Sequence, residues 1–145
     1  MVPVFSDILV AIDGSKTSEL AFAAAVEEAR LHTATLHAVY VVETGLFSSL
    51  PTDNTVEIMY RALEKEGDDV LAKSKSVAAE RGIPLVTHMK QGHAGNEIIT
   101  LADRQKADLI IVGSHGKGKA DRLLLGSVSN YVVTHGTITT MVVRS

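Results

Sequence analysis

The chain has 145 residues, a length that suits one compact domain with a full core and falls short of two ordinary ones, so residues 1–145 are read as a single domain. Its 46% apolar content is that of a globular protein, no apolar run approaches the roughly 18 residues of a membrane span, and the absence of cysteine excludes disulfides, thiolate metal sites and thiol nucleophiles. With 14 Lys and Arg against 17 Asp and Glu the net charge is −3, which argues against broad nucleic-acid binding; no basic segment with an apolar signal core precedes the first strand, so a cytoplasmic location is expected.

The run Ile8 to Ile12 is continuously apolar, as a strand buried on both faces must be, and it is expected to end at Asp13, before Gly14 and Ser15 open a helix. From Lys16 to about Leu31 the residues Leu20, Ala23, Ala24, Val26 and Ala29 recur near the helical period, with Glu19 in the first turn and Arg30 in the last. Thr35 to Val42 is rich in β-branched and apolar residues and reads as a second strand, followed by an irregular stretch from Glu43 to Asn54.

A long helix is expected from Thr55 to Arg81, its stripe made of Val56, Met59, Leu63, Val70, Leu71, Val77 and Ala78, with Gly82 and Pro84 ending it. Gly67 inside that helix costs about 1 kcal/mol relative to Ala, which points to a kink or a close neighbour. Leu85 to Lys90 is a third strand; Gly92 and Gly95 lead into a helix carrying Ile98, Ile99, Leu101 and Ala102. Leu109 to Val112 is a fourth buried strand, Ser127 is expected to cap a helix running to about His135, and Thr139 to Val143 is a last strand after Gly136.

Strict alternation of strand and helix implies a parallel sheet with helices on both faces, joined by right-handed crossovers. Ligands of such sheets bind beyond the strand carboxyl ends, where the winding reverses. Asp13, the stretch from Val41 to Glu43, Gly92 and the glycine-rich loop after Gly113 all fall on that edge. The loop has the character of a phosphate cradle: Gly113, Gly116 and Gly118 free the backbone, Gly126 precedes a helix start that favours anions, and Lys117, Lys119 and Arg122 make it the most basic segment of the chain.

The spacing Gly113-x4-Gly118-Lys119 satisfies most of a Walker A loop, yet Ala120 stands where a Ser or Thr hydroxyl would hold magnesium. The pattern Gly113-x2-Gly116-x9-Gly126-Ser127 fits better. With the blocks Ile8 to Ser15, Ala107 to Gly116, Leu123 to Val128 and Met141 to Arg144, in that order, the chain resembles the nucleotide-binding branch of the universal stress protein family over nearly its whole length. The resemblance implies a flavodoxin-like, or adenine nucleotide alpha hydrolase-like, three-layer α/β sandwich with a five-stranded parallel sheet. It implies ATP or a related adenine nucleotide, with the phosphates at Gly113, Gly116, Lys117, Gly126, Ser127 and Val128, the base near Asp13 and Val41, and Mg²⁺ held only through the phosphates. It also implies a regulatory homodimer paired through the last strand, although Gly136 to Thr140 lacks the proline common in the family at the approach to that strand.

Each residue has a plainer role beside the functional one. Asp13 also suits a turn carboxylate accepting the first N–H groups of the helix, and its charge favours base or ribose over phosphate. Lys117, Lys119 and Arg122 also suit solvated loop charges. His115 stands in a glycine loop with no carboxylate or nucleophile placed beside it by sequence, which suits a structural or base-edge residue more than a catalytic one. The histidines show no close metal-ligand spacing, so no protein-ligated metal is expected. A slow magnesium-dependent ATP hydrolase and an interaction module with an empty site are the alternatives on the same fold; the first lacks a clear general base and the second leaves the intact glycine pattern unused.

Overall fold

The computed structural model describes residues 4–47, 54–115 and 126–145. Their order is β1 (Asp7–Ala11), α1 (Lys16–His32), β2 (Thr35–Glu43), a short 3₁₀ turn (Thr44–Phe47), α2 (Asn54–Glu80), β3 (Leu85–Gly92), α3 (Ala94–Arg104), β4 (Leu109–Gly113), α4 (Ser127–His135) and β5 (Thr139–Val143). The strands form one parallel sheet in the order β3-β2-β1-β4-β5, so the winding reverses between β1 and β4.

Strand parity divides the core in two. Ile8, Val10, Leu36, Ala38, Tyr40, Leu109 and Ile111 meet α1 and α2 through Phe22, Ala25, Val26, Leu71 and Ala78. On the other face Leu9, Val39, Ile110 and Val112 meet α3 and α4 through Ile98, Leu101, Ala102 and Val132. Burial on both faces explains why β1 and β4 read as unbroken apolar runs. At the amino edge the Asp108 carboxylate accepts the N–H groups of Ser6 and Asp7, tying the entries of β4 and β1 together.

Four expectations are corrected. β1 ends at Ala11 and not at Asp13, because Ile12 makes the last bond to β2, donating to the Val39 carbonyl at 3.0 Å, and the chain then turns through Gly14 at φ +86. The stripe of α1 is rotated: Ala21, Phe22, Ala25, Val26 and Ala29 are buried, whereas Leu20 is 48% exposed and Ala23 is exposed too. In so alanine-rich a helix the apolar residues do not define one face, and contact with the sheet chooses it. Val77 is likewise exposed on α2. The stretch after β2 begins as a 3₁₀ turn and is not irregular throughout.

Helix α2 runs through Gly67 without a break, and the close neighbour is there. A Cβ on Gly67 would sit 2.6 Å from both the Met89 methyl and the Tyr40 ring, so the missing side chain lets α2 lie flat on β2 and β3.

Candidate functional site

Above the carboxyl ends of β1, β2 and β4 lies a crevice of about 430 Å³, within the range of small-molecule sites. Asp13, Val41, Gly113, Gly126, Ser127 and Val128 all line it, so six positions chosen from sequence converge on one cavity. Gly116 and Lys117, together with Gly118, Lys119 and Arg122, lie outside the described residues.

The wall at Val41 follows from unequal strand lengths. β1 makes its last rung at Ala11 opposite Val39, while β2 continues to Glu43, paired on its other side with β3 as far as Gly92. In an extended strand the N–H and C=O of one residue point to the same edge and alternate from residue to residue. Val41 therefore aims both groups where Val39 does, towards β1, and at that height β1 has already turned away. A donor and an acceptor stand side by side on the crevice wall.

The junction from β1 to α1 is capped by its own side chains. Ser15 caps the helix by accepting the Ser18 N–H at 3.1 Å, Asp13 Oδ1 accepts the Ser15 N–H at 2.9 Å, and Ser18 Oγ accepts the Asp13 N–H at 3.2 Å. Asp13 is thus a turn carboxylate, accepting the Ser15 N–H, that also lines the crevice.

The junction from β4 to α4 is built differently. Ser127 is not the cap: the Gly126 carbonyl accepts the Asn130 N–H at 2.9 Å, which makes Gly126 the N-cap and Ser127 the first helical residue, with no side-chain cap bond. A glycine offers no capping atom, so among the described residues the first-turn N–H groups of Ser127, Val128 and Ser129 have neither an intrahelical carbonyl nor a side-chain cap. The reason for glycine at 126 also differs from bare backbone facing a ligand. Its φ of −68 suits any residue, but an added Cβ would lie 3.0 Å from His115 Cα and 3.3 Å from the Ser114 oxygen. Its N–H donates to the Ser114 carbonyl at 2.6 Å, and the buried Ser129 hydroxyl donates to the same oxygen at 3.0 Å. Gly113 is required by packing as well, since its Cβ would lie 2.8 Å from the Thr17 methyl.

His115 bridges the two junctions: its Nε2 lies 3.3 Å from the Thr17 hydroxyl on α1 and its Nδ1 3.2 Å from the Ser114 hydroxyl. Glu43, which the sequence places on the ligand edge without giving it a role, is drawn into the site. Its carboxylate lines the crevice and accepts the Ala94 N–H at the start of α3, 2.8 Å away. An acidic residue at a strand end facing a helix start was the available signal.

The sequence model of the Universal stress protein family matches residues 5–144. The chain belongs to that family. A universal stress protein of Methanocaldococcus jannaschii is 36% identical over 141 residues, covering 97% of this chain and 83% of that one. Universal stress protein UspA from Lactobacillus plantarum superposes with a TM-score of 0.90 at 28% identity, over 99% of this chain and 100% of that one. A universal stress protein from Archaeoglobus fulgidus, solved in complex with dAMP, shares the fold at a TM-score of 0.69 and 21% identity, over 98% of this chain and 100% of that one. The five-stranded parallel sheet between two helical layers is thus the universal stress protein fold.

Proposed function

We propose that residues 1–145 form one adenine nucleotide-binding universal stress domain, with ATP or a related nucleotide held across the crevice. The observation that carries the reading is that one cavity joins the free backbone edge at Val41 to the glycine-capped start of α4. An adenine presents an acceptor and a donor on its Watson–Crick edge, the complement of the Val41 N–H and C=O. The first-turn N–H groups of Ser127 and Val128 offer fixed donors and a helix-dipole end to phosphate oxygens. Asp13 borders the space between them, where a ribose would lie, and Gly116 and Lys117 belong to the same loop by sequence. A dAMP complex on the same fold in the Archaeoglobus protein is consistent with this reading.

The chemistry on offer is binding and not rapid turnover. Among the described residues of the crevice the carboxylates are Asp13 and Glu43, and each already accepts an N–H at a helix start. Magnesium, where present, would come with the phosphates. On this reading the protein acts in the cytoplasm as a stress-response regulator and pairs through β5, an edge strand carrying Met141, Val142 and Val143 whose outer side needs cover.

Native mass spectrometry of freshly purified protein, followed by calorimetric titration with ATP and ADP, tests both parts. The expected result is a dimer carrying or accepting one nucleotide per subunit, with hydrolysis below about 1 s⁻¹. A stable monomer at micromolar concentration would overturn the pairing, and absence of binding to either nucleotide would overturn the ligand.

A further inference from the structure

The amino half of the sheet holds a polar cluster that the crevice does not use. On the face covered by α3, His37 of β2 is only 6% exposed, and His88 of β3 is partly buried beside it. His88 stands two residues beyond Val86, the rung partner of His37. The rings stack with centroids 5.3 Å apart and planes at 24°, and His37 Nδ1 lies 3.0 Å from His88 Nε2. Asp7 of β1 lies beyond, its Oδ1 3.9 Å from His37 Nε2.

A contact between two ring nitrogens exists only while one of them carries a proton and the other does not. We propose that the His37–His88 contact is a pH-sensitive latch between β2 and the edge strand β3, closed with up to one excess proton on the pair and opened by a second. The first excess proton can settle on His37 Nε2, facing Asp7, while Nδ1–H donates to His88. The second sets N–H against N–H and stacks two cations, with Lys90 further along the same face of β3.

The surroundings leave little to offset that repulsion. Among the described residues, Asp7 on β1 is the acidic group facing the pair and Lys90 on β3 the basic one. Helix α3 covers the face with Ile98, Leu101 and Ala102, while its Asp103 and Arg104 are exposed and Glu97 lies against Gly92 at the far end of the strand. Asp108 is engaged by the Ser6 and Asp7 N–H groups. β3 has a strand neighbour on one side only, so a lost contact to β2 falls on an edge element that can open without the rest of the sheet.

The direction of the pH effect follows from burial. Desolvation lowers the pKa of His37 against a smaller opposing pull from Asp7, and desolvation, then His37 and Lys90, lower that of His88. The unfolded chain, with histidines near their ordinary value of about 6.5, then binds protons more readily than the folded one. Stability is therefore full above that value and is lost as pH falls through it towards the lower folded values.

The test compares the full chain with His88→Gln, which keeps a neutral hydrogen-bonding group that cannot be protonated in this range. Denaturant unfolding is measured at about pH 7.5 and 5.0, with amide exchange of β3, corrected for intrinsic rate. Between those pH values the unfolding constant of the parent is expected to rise severalfold more than that of the variant. Exchange in β3 of the parent is expected to accelerate relative to β1. His32, His93, His115 and His135 are common to both proteins and cancel in the comparison. Equal pH dependence in the two would overturn the latch. Should the variant not fold, NMR titration of the parent decides: two interdependent rings titrating below 6.5 support it, and two independent rings at about 6.5 overturn it.

Discussion

The neighbouring strands β1 and β4 leave the sheet side by side and enter their helices in different ways. After β1, Ser15 caps α1 through the Ser18 N–H, and Asp13 and Ser18 tie the turn before it, so part of that helix start is taken up by the chain's own side chains. After β4, Gly126 brings α4 against Ser114 and His115 and supplies no capping atom, so the junction is tightly placed but chemically open. A helix start becomes an anion site when its position is fixed by backbone packing and its donors are not consumed by neighbouring side chains. This chain sets one junction of each kind on the same crevice, and substitutions at the two should therefore separate stability from affinity.

The largest effect is expected at Gly126→Val. A branched side chain there strikes His115 Cα and the Ser114 oxygen, so α4 must move away from the strand end and carry its first-turn donors with it. Nucleotide affinity should fall more than about a hundredfold, the loss of two or more charge-assisted bonds, while circular dichroism still reports the fold. Calorimetry showing parental affinity would place the phosphates elsewhere.

Ser127→Ala sharpens the same contrast. Since Ser127 is the first helical residue and not the N-cap, its removal should leave the denaturation midpoint within experimental scatter. It should weaken ATP binding by about tenfold, as expected for one lost hydroxyl donor to a charged group. A fall in stability with unchanged affinity would reverse the assignment of the two junctions.

The smallest expected effect is that of Ser15→Ala, the mirror image. Losing the bond to the Ser18 N–H should cost about 1 kcal/mol, seen as a melting temperature lower by about 2–4 °C, with the dissociation constant for ATP changed less than twofold. If affinity falls with it, the capped junction takes part in binding beyond holding Asp13.

What could be read along the chain, and what could not, divides by the range of the interactions involved. β1 and β4 were legible because strands buried on both faces must be apolar at every residue. Gly82 marked the end of α2, where it takes φ +72, and the convergence of Asp13, Val41 and Gly113 followed from the order of strands and helices. These are local or topological facts, and a linear sequence contains them. The buried face of α1 was not legible, because its alanines fit the sheet in more than one rotation and only contact with Ile8, Val10 and Ile111 selects Ala21 and Phe22 over Leu20 and Ala23. The cap at Gly126 depends on how closely α4 approaches Ser114, the free edge at Val41 on β1 stopping short of β2, and the Glu43 bond to Ala94 on the end of one strand reaching the start of another element. His37 and His88 lie 51 residues apart and meet only through the register of β2 on β3. The sequence by itself determined the elements, their order and the edge on which the glycines gather; relative lengths, register and the depth of packing, which arise only when the sheet is assembled, decided which backbone groups remain open on that edge.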